Sequence, residues 1–389
     1  MDLKSLLECW EGELMNSILI GNGINIQYGG TDNLNKEIIL RAIKGLHDES
    51  YPTHIIIDEP ELIEMLFGLL FLEVRLVLNH KYDQYAFSTD EKRALANFIY
   101  RYENKKSITL FDIGFEDYYL IFELFSYKNG LENPDRYTIR ETFKRNFIYS
   151  IFNKGKVNDI YKKFPLALKH FLNGYDTIFT TNYDRNLELF LNKDVYYLHG
   201  AFHIKDNVYD PNSLRNKLPD KPLENIEIDE KHYYLYSNVL TDFSGGGKLF
   251  AANMYAQANR VIDQFSNGDV NNSKIKQNID EWENSENALI KNFHDAIKLK
   301  IEQPEVKMVE NYPINEFKSI EDKISILGLS PNNDTHLFKL ISENESINEV
   351  EYYYFDNSEI KEIESLFPSK NIHFESVKEL WNSLGSDTK

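Results

Sequence analysis

Short apolar runs alternate with helix-length segments through the last third of this chain. Lys323 to Leu327, Glu349 to Phe355 and Asn371 to Phe374 read as strands, each separated from the next by enough residues for one helix. Parallel neighbours need a crossover connection, and a helix supplies it, so the alternation predicts a parallel sheet. Asn16 to Ile20, Thr177 to Thr180 and Val195 to Leu198 have the same strand character. The expected fold is α/β: a Rossmann-like, mostly parallel sheet flanked by helices, with large helical insertions. Residues 321–389 are needed to complete the sheet.

Polar clusters stand where these strands end, which is where open α/β sheets bind ligands. Gly21-Asn22-Gly23-Ile24-Asn25 follows the first strand. Glycines there let backbone approach a pyrophosphate, and a tight turn needing φ > 0 is the equally weighted alternative. The third glycine of a dehydrogenase fingerprint would fall at Ile26, and no Lys-Ser/Thr follows as in a P-loop. Thr180-Thr181-Asn182-Tyr183-Asp184 ends a second strand, and His199-Gly200 a third. Asn182, Asp184 and His199 thus make a candidate reaction centre. Taken singly, Asn-x-Asp reads as an Asx-turn and a lone histidine as structural. Gly328-Leu329-Ser330, with Asp334, ends a later strand; ribose or adenine packing and a simple helix cap are level readings there.

Composition removes several function classes. The formal charge of −19 argues against nucleic-acid binding by the bulk surface, which requires clustered Lys and Arg. One cysteine, Cys9, cannot build an internal disulfide framework or a cysteine zinc site. It reads as a small apolar residue on a first helix, Leu6 to Met15. His203 beside His199 completes no metal site, so none is expected. Met65 to Leu72 is too short to span a bilayer, which takes about 20 apolar residues. Without a signal-peptide layout, a cytoplasmic location with no direct membrane contact is expected. A Ser or Cys hydrolase triad has no support, for lack of G-x-S-x-G and of a placed thiol.

Between the first and second strands lie helical patterns at Asn35 to Leu46, Pro60 to Asn79, Thr89 to Asn104, Phe115 to Phe125, Thr138 to Phe152 and Lys156 to Leu172. Residues 31–170 therefore read as a helical insertion module within one domain spanning 1–389. Thr53 to Asp58 is a candidate additional strand. Residues 203–320 form a second insertion, with helices at Gly247 to Phe265 and Asn278 to Gln303 and an Asn-rich loop at Ser266 to Lys274. Gly245-Gly246-Gly247-Lys248 lacks the Ser/Thr of a P-loop and reads as a flexible loop.

Four of these motifs, in this order, carry a family resemblance. Ser17-Ile18-Leu19-Ile20-Gly21-Asn22-Gly23-Ile24-Asn25 resembles the sirtuin Gly-Ala-Gly-Ile-Ser turn. Thr180-Thr181-Asn182-Tyr183-Asp184 resembles the Thr-Gln-Asn-Ile-Asp segment. Leu198-His199-Gly200 resembles the His-Gly pair, and Gly328-Leu329-Ser330 the late Gly-x-Ser strand end. The resemblance implies NAD as substrate. Gly21, Asn22, Gly23, Asn25, Thr181, Asp184, Gly328, Ser330 and Asp334 would contact it, and Asn182 and His199 would be catalytic. Asn182 would hold a water or ribose hydroxyl near the anomeric carbon, and His199 would be the general base. The two Cys-x-x-Cys pairs of the deacylase sirtuins are missing and Thr181 replaces their glutamine, so zinc and peptide deacylation are not expected. The chain looks like the divergent sirtuin-like proteins of bacterial antiphage defence. There the implied activity is NAD hydrolysis to nicotinamide and ADP-ribose, with NAD depletion stopping phage growth. Only about 60 residues follow Gly328, so an off-switch is expected from homo-oligomerisation or from a partner such as a HerA-like ATPase. An NAD-dependent deacylase or ADP-ribosyltransferase, and a non-catalytic NAD or ADP-ribose sensor, are the alternatives.

Overall fold

The structure is a computed structural model that describes residues 15–56, 60–132, 135–204, 229–243, 245–267, 273–285, 288–302 and 312–385. Six strands form one sheet: β1 Asn16–Ile20, β2 Thr177–Thr180, β3 Tyr196–Tyr197, β4 Asp322–Leu327, β5 Ile347–Tyr354 and β6 Asn371–Ser376. Every pairing is parallel, and the order is β3-β2-β1-β4-β5-β6. That is the doubly wound order, whose topological switch point lies between β1 and β4.

By their contacts the residues divide into two compact units. The first comprises Met1–Asn33, Val157–Leu198 and Pro313–Lys389 and holds the whole sheet. Its central strands are covered on both faces, which is why they read as unbroken apolar runs rather than alternating ones. Ile18, Leu19 and Ile20 of β1 and Ile326 and Leu327 of β4 are fully buried. Phe179 of β2 lies between the rings of Tyr196 and Phe317, each 5.1 Å away. At the far edge, β6 alternates exposed with half-buried residues and presents His373 and Glu375, charges that blunt an open edge.

The second unit, Leu34–Lys156 with His199–Tyr312, is helical. Both insertions expected from the sequence contribute to it. Its helices include Asn35–Lys44, Pro60–Leu78, Thr89–Tyr102, Phe115–Asn129, Asp135–Phe152, Gly246–Asn267, Ser273–Glu281 and Ala288–Glu302. An aromatic cluster forms one core: Phe143 lies 4.7 Å from Phe67 and 4.9 Å from Phe147, one turn along its own helix. Polar side chains tie the Asp135–Phe152 helix to the Asn35–Lys44 helix. Asn146 Nδ2 donates to Ala42 O and Ser150 Oγ to Ile38 O.

Three expectations are corrected. Thr53 to Ile56 is a turn, not a strand: the amides of Ile55 and Ile56 both donate to Pro52 O, and residues 57–59 lie outside the described set. The pattern from Lys156 to Leu172 is two elements, a 3-10 segment Asn153–Lys163 and a helix Leu166–Leu172, because Pro165 cannot continue a helix. Ser266 and Asn267 end one helix and Ser273 starts the next, so the Asn-rich segment is partly helical. Residues 1–14, with Cys9 and the expected first helix, and residues 205–228 lie outside the described residues.

Candidate active site

The loops that leave β1 and β4 cross at the switch point so closely that only glycine fits. A Cβ on Gly23 would stand 2.5 Å from Gly328 Cα, and one on Gly21 would stand 2.5 Å from Gly328 O. Gly328 itself has φ +67. The crossing is sealed by backbone bonds, from Gly21 N to Leu327 O and from Gly23 N to Gly328 O, each 2.9 Å. This revises the reason for the first two glycines. Neither has positive φ, so close approach of backbone to backbone requires them, not a left-handed turn. It also commits the Gly23 amide to Gly328.

Asn182 stands beside this crossing. Thr181 N donates to Ile20 O at 3.1 Å, fixing the exit of β2 against the end of β1. Thr180 Oγ1 donates to Ile20 O and accepts from Asn182 N. The Asn182 carboxamide then donates through Nδ2 to Gly21 O at 3.2 Å. Among the described residues its carbonyl oxygen has no hydrogen-bond donor, so a buried amide offers an acceptor at the switch point.

Asp184 does different work from Asn182. Its Oδ2 accepts from Asn25 Nδ2 at 2.5 Å and its Oδ1 from Asn186 N at 3.0 Å. Burial pushes its carboxyl above the usual carboxylate range, and the bonds from Asn186 and Asn25 oppose that. Asn186 carries the network on, donating to Val157 O at 2.7 Å and accepting from Tyr161 N at 3.0 Å. Asn25 and Asp184 therefore meet each other and lock the Gly23–Gly29 helix to the β2 loop. Asn22 donates to Asn33 O on the same helix's outer side. Beyond Gly328, Ser330 is exposed and Asp334 is buried at a non-helical position inside the Pro331–Glu343 helix. The structure thus gathers Gly21, Gly23, Asn25, Thr181, Asn182, Asp184 and Gly328 at the ends of β1, β2 and β4.

His199 opens the second unit, one residue after Leu198, whose amide donates to Thr180 O. It is buried, and its carbonyl accepts from Leu240 N. Gly200 has φ +78, and a Cβ there would collide with the Asn238 carbonyl, so no other residue suits the position. Lys248 Nζ lies 3.5 Å from His199 Nδ1, at the long end of hydrogen bonding, and forms an ion pair with Glu116. An ammonium held charged by Glu116 donates to Nδ1, so the neutral ring carries its proton on Nε2.

Lys248 and Glu116 were not legible as site residues. Gly245-Gly246-Gly247-Lys248, expected as a flexible loop, is the start of the Gly246–Asn267 helix, with Gly245 at φ +49 and Lys248 buried. The available signal was a lysine directly after helix-starting glycines, and the missing strand before it hid the role. Asn186 was missed too, because its importance lies in bonds to residues 25 to 29 positions away.

Comparison of the chain with protein-family models, with curated proteins and with solved structures gives no match. Among the described residues no helix is long and apolar enough to cross a membrane.

Proposed function

We propose that the chain is a sirtuin-like NAD glycohydrolase. The observation that carries this reading is the Asn182 carboxamide, held by Gly21 O at a glycine-only crossing of the switch point, with its own oxygen unclaimed among the described residues. Dinucleotides bind doubly wound sheets at that position. In the proposed reaction water attacks C1′ of the nicotinamide ribose, and the C1′–N1 bond breaks with its electron pair passing to the pyridinium nitrogen. Nicotinamide, ADP-ribose and one proton result. A neutral amide suits the oxocarbenium-like transition state because it orders the water or a ribose hydroxyl without titrating. Gly21, Gly23 and Gly328 supply close backbone approach, while Asn25 and Asp184 hold the loop that bears Asn182 rather than the ligand.

His199 is proposed to engage a ribose hydroxyl. With Lys248 donating to Nδ1 the neutral ring carries its proton on Nε2, so the proposed contact is a hydrogen bond donated from Nε2 to a ribose oxygen rather than proton removal at Nε2. Lys248 and Glu116 therefore become part of the proposal as groups that set the tautomer. No cysteine ligand set supports zinc, and NAD is the substrate. The wider role, a cytoplasmic NAD-depleting effector of antiphage defence gated by self-assembly or by a HerA-like ATPase, follows from the sirtuin resemblance alone.

Nicotinamide release decides the matter. The purified chain, alone and with candidate partners, is incubated with NAD without any protein acceptor. Hydrolysis should fall by roughly 10²-fold or more in Asn182→Ala, the scale of losing one positioned group. Release only with an acyl-peptide would favour deacylation, and NAD binding without turnover under every condition would favour a sensor.

A further inference from the structure

We infer that His54, Asp229 and His232 form a binding site for a divalent transition metal, with zinc the best match. The three belong to the helical unit and are independent of the proposed NAD site. Asp229 Oδ2 lies 2.9 Å from His54 Nε2 and 2.8 Å from His232 Nδ1, and the three donor atoms all lie within 4.8 Å of one another. His54 and Asp229 are 175 positions apart, so the fold, not local sequence, assembles the trio. Asp229 Oδ1 accepts from Lys231 N, which fixes the carboxylate and points Oδ2 at the rings.

Two imidazoles and one carboxylate are a donor set that zinc accepts, with water in the remaining position. Neighbouring donors in a tetrahedral zinc site lie about 3.4 Å apart. The trio would therefore open by about half an ångström, a small tilt for the exposed His54 ring. Zn²⁺ alone, titrated into the tag-free, chelator-stripped full chain against a chromophoric zinc indicator, tests the site. One bound equivalent is expected that His54→Ala and His232→Ala each abolish. Asp229→Asn, which keeps the bond to Lys231 N, should weaken it at least about tenfold. His80→Ala, from a separate exposed pair with Asp83, should leave it unchanged. If His54→Ala fails to fold, His54→Gln replaces it. No zinc uptake by the wild type, or uptake indifferent to the changes at 54 and 232, overturns the assignment.

A second observation stands apart from the first. The Pro60–Leu78 helix is apolar on two opposite faces. Ile63, Phe67, Leu70, Val74 and Val77 are buried, while Leu62, Met65, Leu69, Leu72 and Leu76 are 51%, 70%, 39%, 71% and 38% exposed. The exposed set steps by three, four, three and four residues, the seam of a coiled coil. A stripe of this kind on a surface helix marks an interaction face. The structure assigns it to a second copy of this chain, packed antiparallel about Gly68. Glu61 and Arg75 are both exposed and lie seven residues either side of Gly68, so in that arrangement each copy's Glu61 meets Arg75 of the partner subunit. Gly68 has open space where a Cβ would sit, so the helices can approach at the centre.

Sedimentation velocity over a micromolar concentration series is the test. A monomer–dimer equilibrium is expected, and Met65→Glu with Leu72→Glu should leave only monomer. Glu61→Arg should weaken the dimer, and adding Arg75→Glu should restore it. A wild type that stays monomeric throughout, or a dimer that survives the two glutamates, overturns the assignment.

Discussion

Replacing Gly23 with alanine should loosen two strands that are more than 300 residues apart in the chain. The new methyl would stand 2.5 Å from Gly328 Cα, 3.0 Å from its oxygen and 3.2 Å from its carbonyl carbon. All three are backbone atoms bracketed by β4, so no side chain can swing aside. Overpacking of this sort costs about 1–3 kcal/mol, and alanine's better helix propensity returns up to about 1 kcal/mol. Two neighbours separate the causes. Gly30 has open space around its Cβ position but φ +87 and ψ −170, a backbone region that essentially only glycine adopts, so alanine there should cost only that backbone penalty of roughly 1–3 kcal/mol. Gly328 has both faults, φ +67 and a Cβ 2.9 Å from Gly23 Cα, so its alanine variant should be worst. Amide hydrogen exchange on peptides covering residues 16–29 and 322–343 reads each strand separately, which a global melt of a two-unit chain does not. A loss of 1–3 kcal/mol speeds exchange about five- to 150-fold. Gly23→Ala should speed both peptides, and Gly30→Ala only the first. An unchanged 322–343 peptide in Gly23→Ala, or a Gly328→Ala variant no worse than Gly30→Ala, would refute the crossing as the reason for these glycines.

Other expectations concern the buried polar groups. Asp184 has its carboxyl pushed up by burial, so its contribution to stability is complete below the unfolded value near 3.8 and is lost as pH rises through the folded value. The melting-temperature advantage of wild type over Asp184→Asn should therefore shrink from acid toward neutral pH, and growth of that gap would contradict the sign. Asn186→Ala strands Val157 O and Tyr161 N and should cost about 1–3 kcal/mol by hydrogen exchange of residues 157–163. Lys248→Met leaves Glu116 buried without its ion-pair partner and should cost about 3–5 kcal/mol, with Lys248→Met plus Glu116→Gln costing less than the two singles combined. Additive losses in denaturation of the helical unit would show the pair is not coupled.

The sheet was legible because its central strands are buried on both faces. Asn16–Ile20 and Thr177–Thr180 fall where the apolar runs predicted, and the all-parallel pairing follows from the helix-length spacers. Pro165 splits the Lys156 to Leu172 pattern because its ring cannot continue a helix, even though the three- and four-residue periodicity runs across it. Thr53 to Ile56 has strand-forming side chains, yet Pro52 caps their amides into a turn, and Arg145 from a distant helix donates to Ile55 O. At the site, Gly21, Asn182 and Gly328 were visible as strand-end motifs. The partnership of Asn25 with Asp184, and of Lys248 with Glu116 and His199, was not, because pairs separated by 49 to 159 positions leave no periodic trace. Nor does sequence order reveal that two insertions separated by 42 residues of sheet unit make one helical body.

The strand order has a consequence for synthesis. Ser17 of β1 pairs with Thr177 on one side and Ile324 on the other, so the first strand to emerge from the ribosome is the middle of the finished sheet. At about 5–20 residues per second, β1 waits roughly tens of seconds for its second neighbour. Until then the sheet that fully buries Ile18, Leu19 and Ile20 is incomplete. The helical stretch 34–156 is translated in between and can condense from local contacts while the sheet is still incomplete.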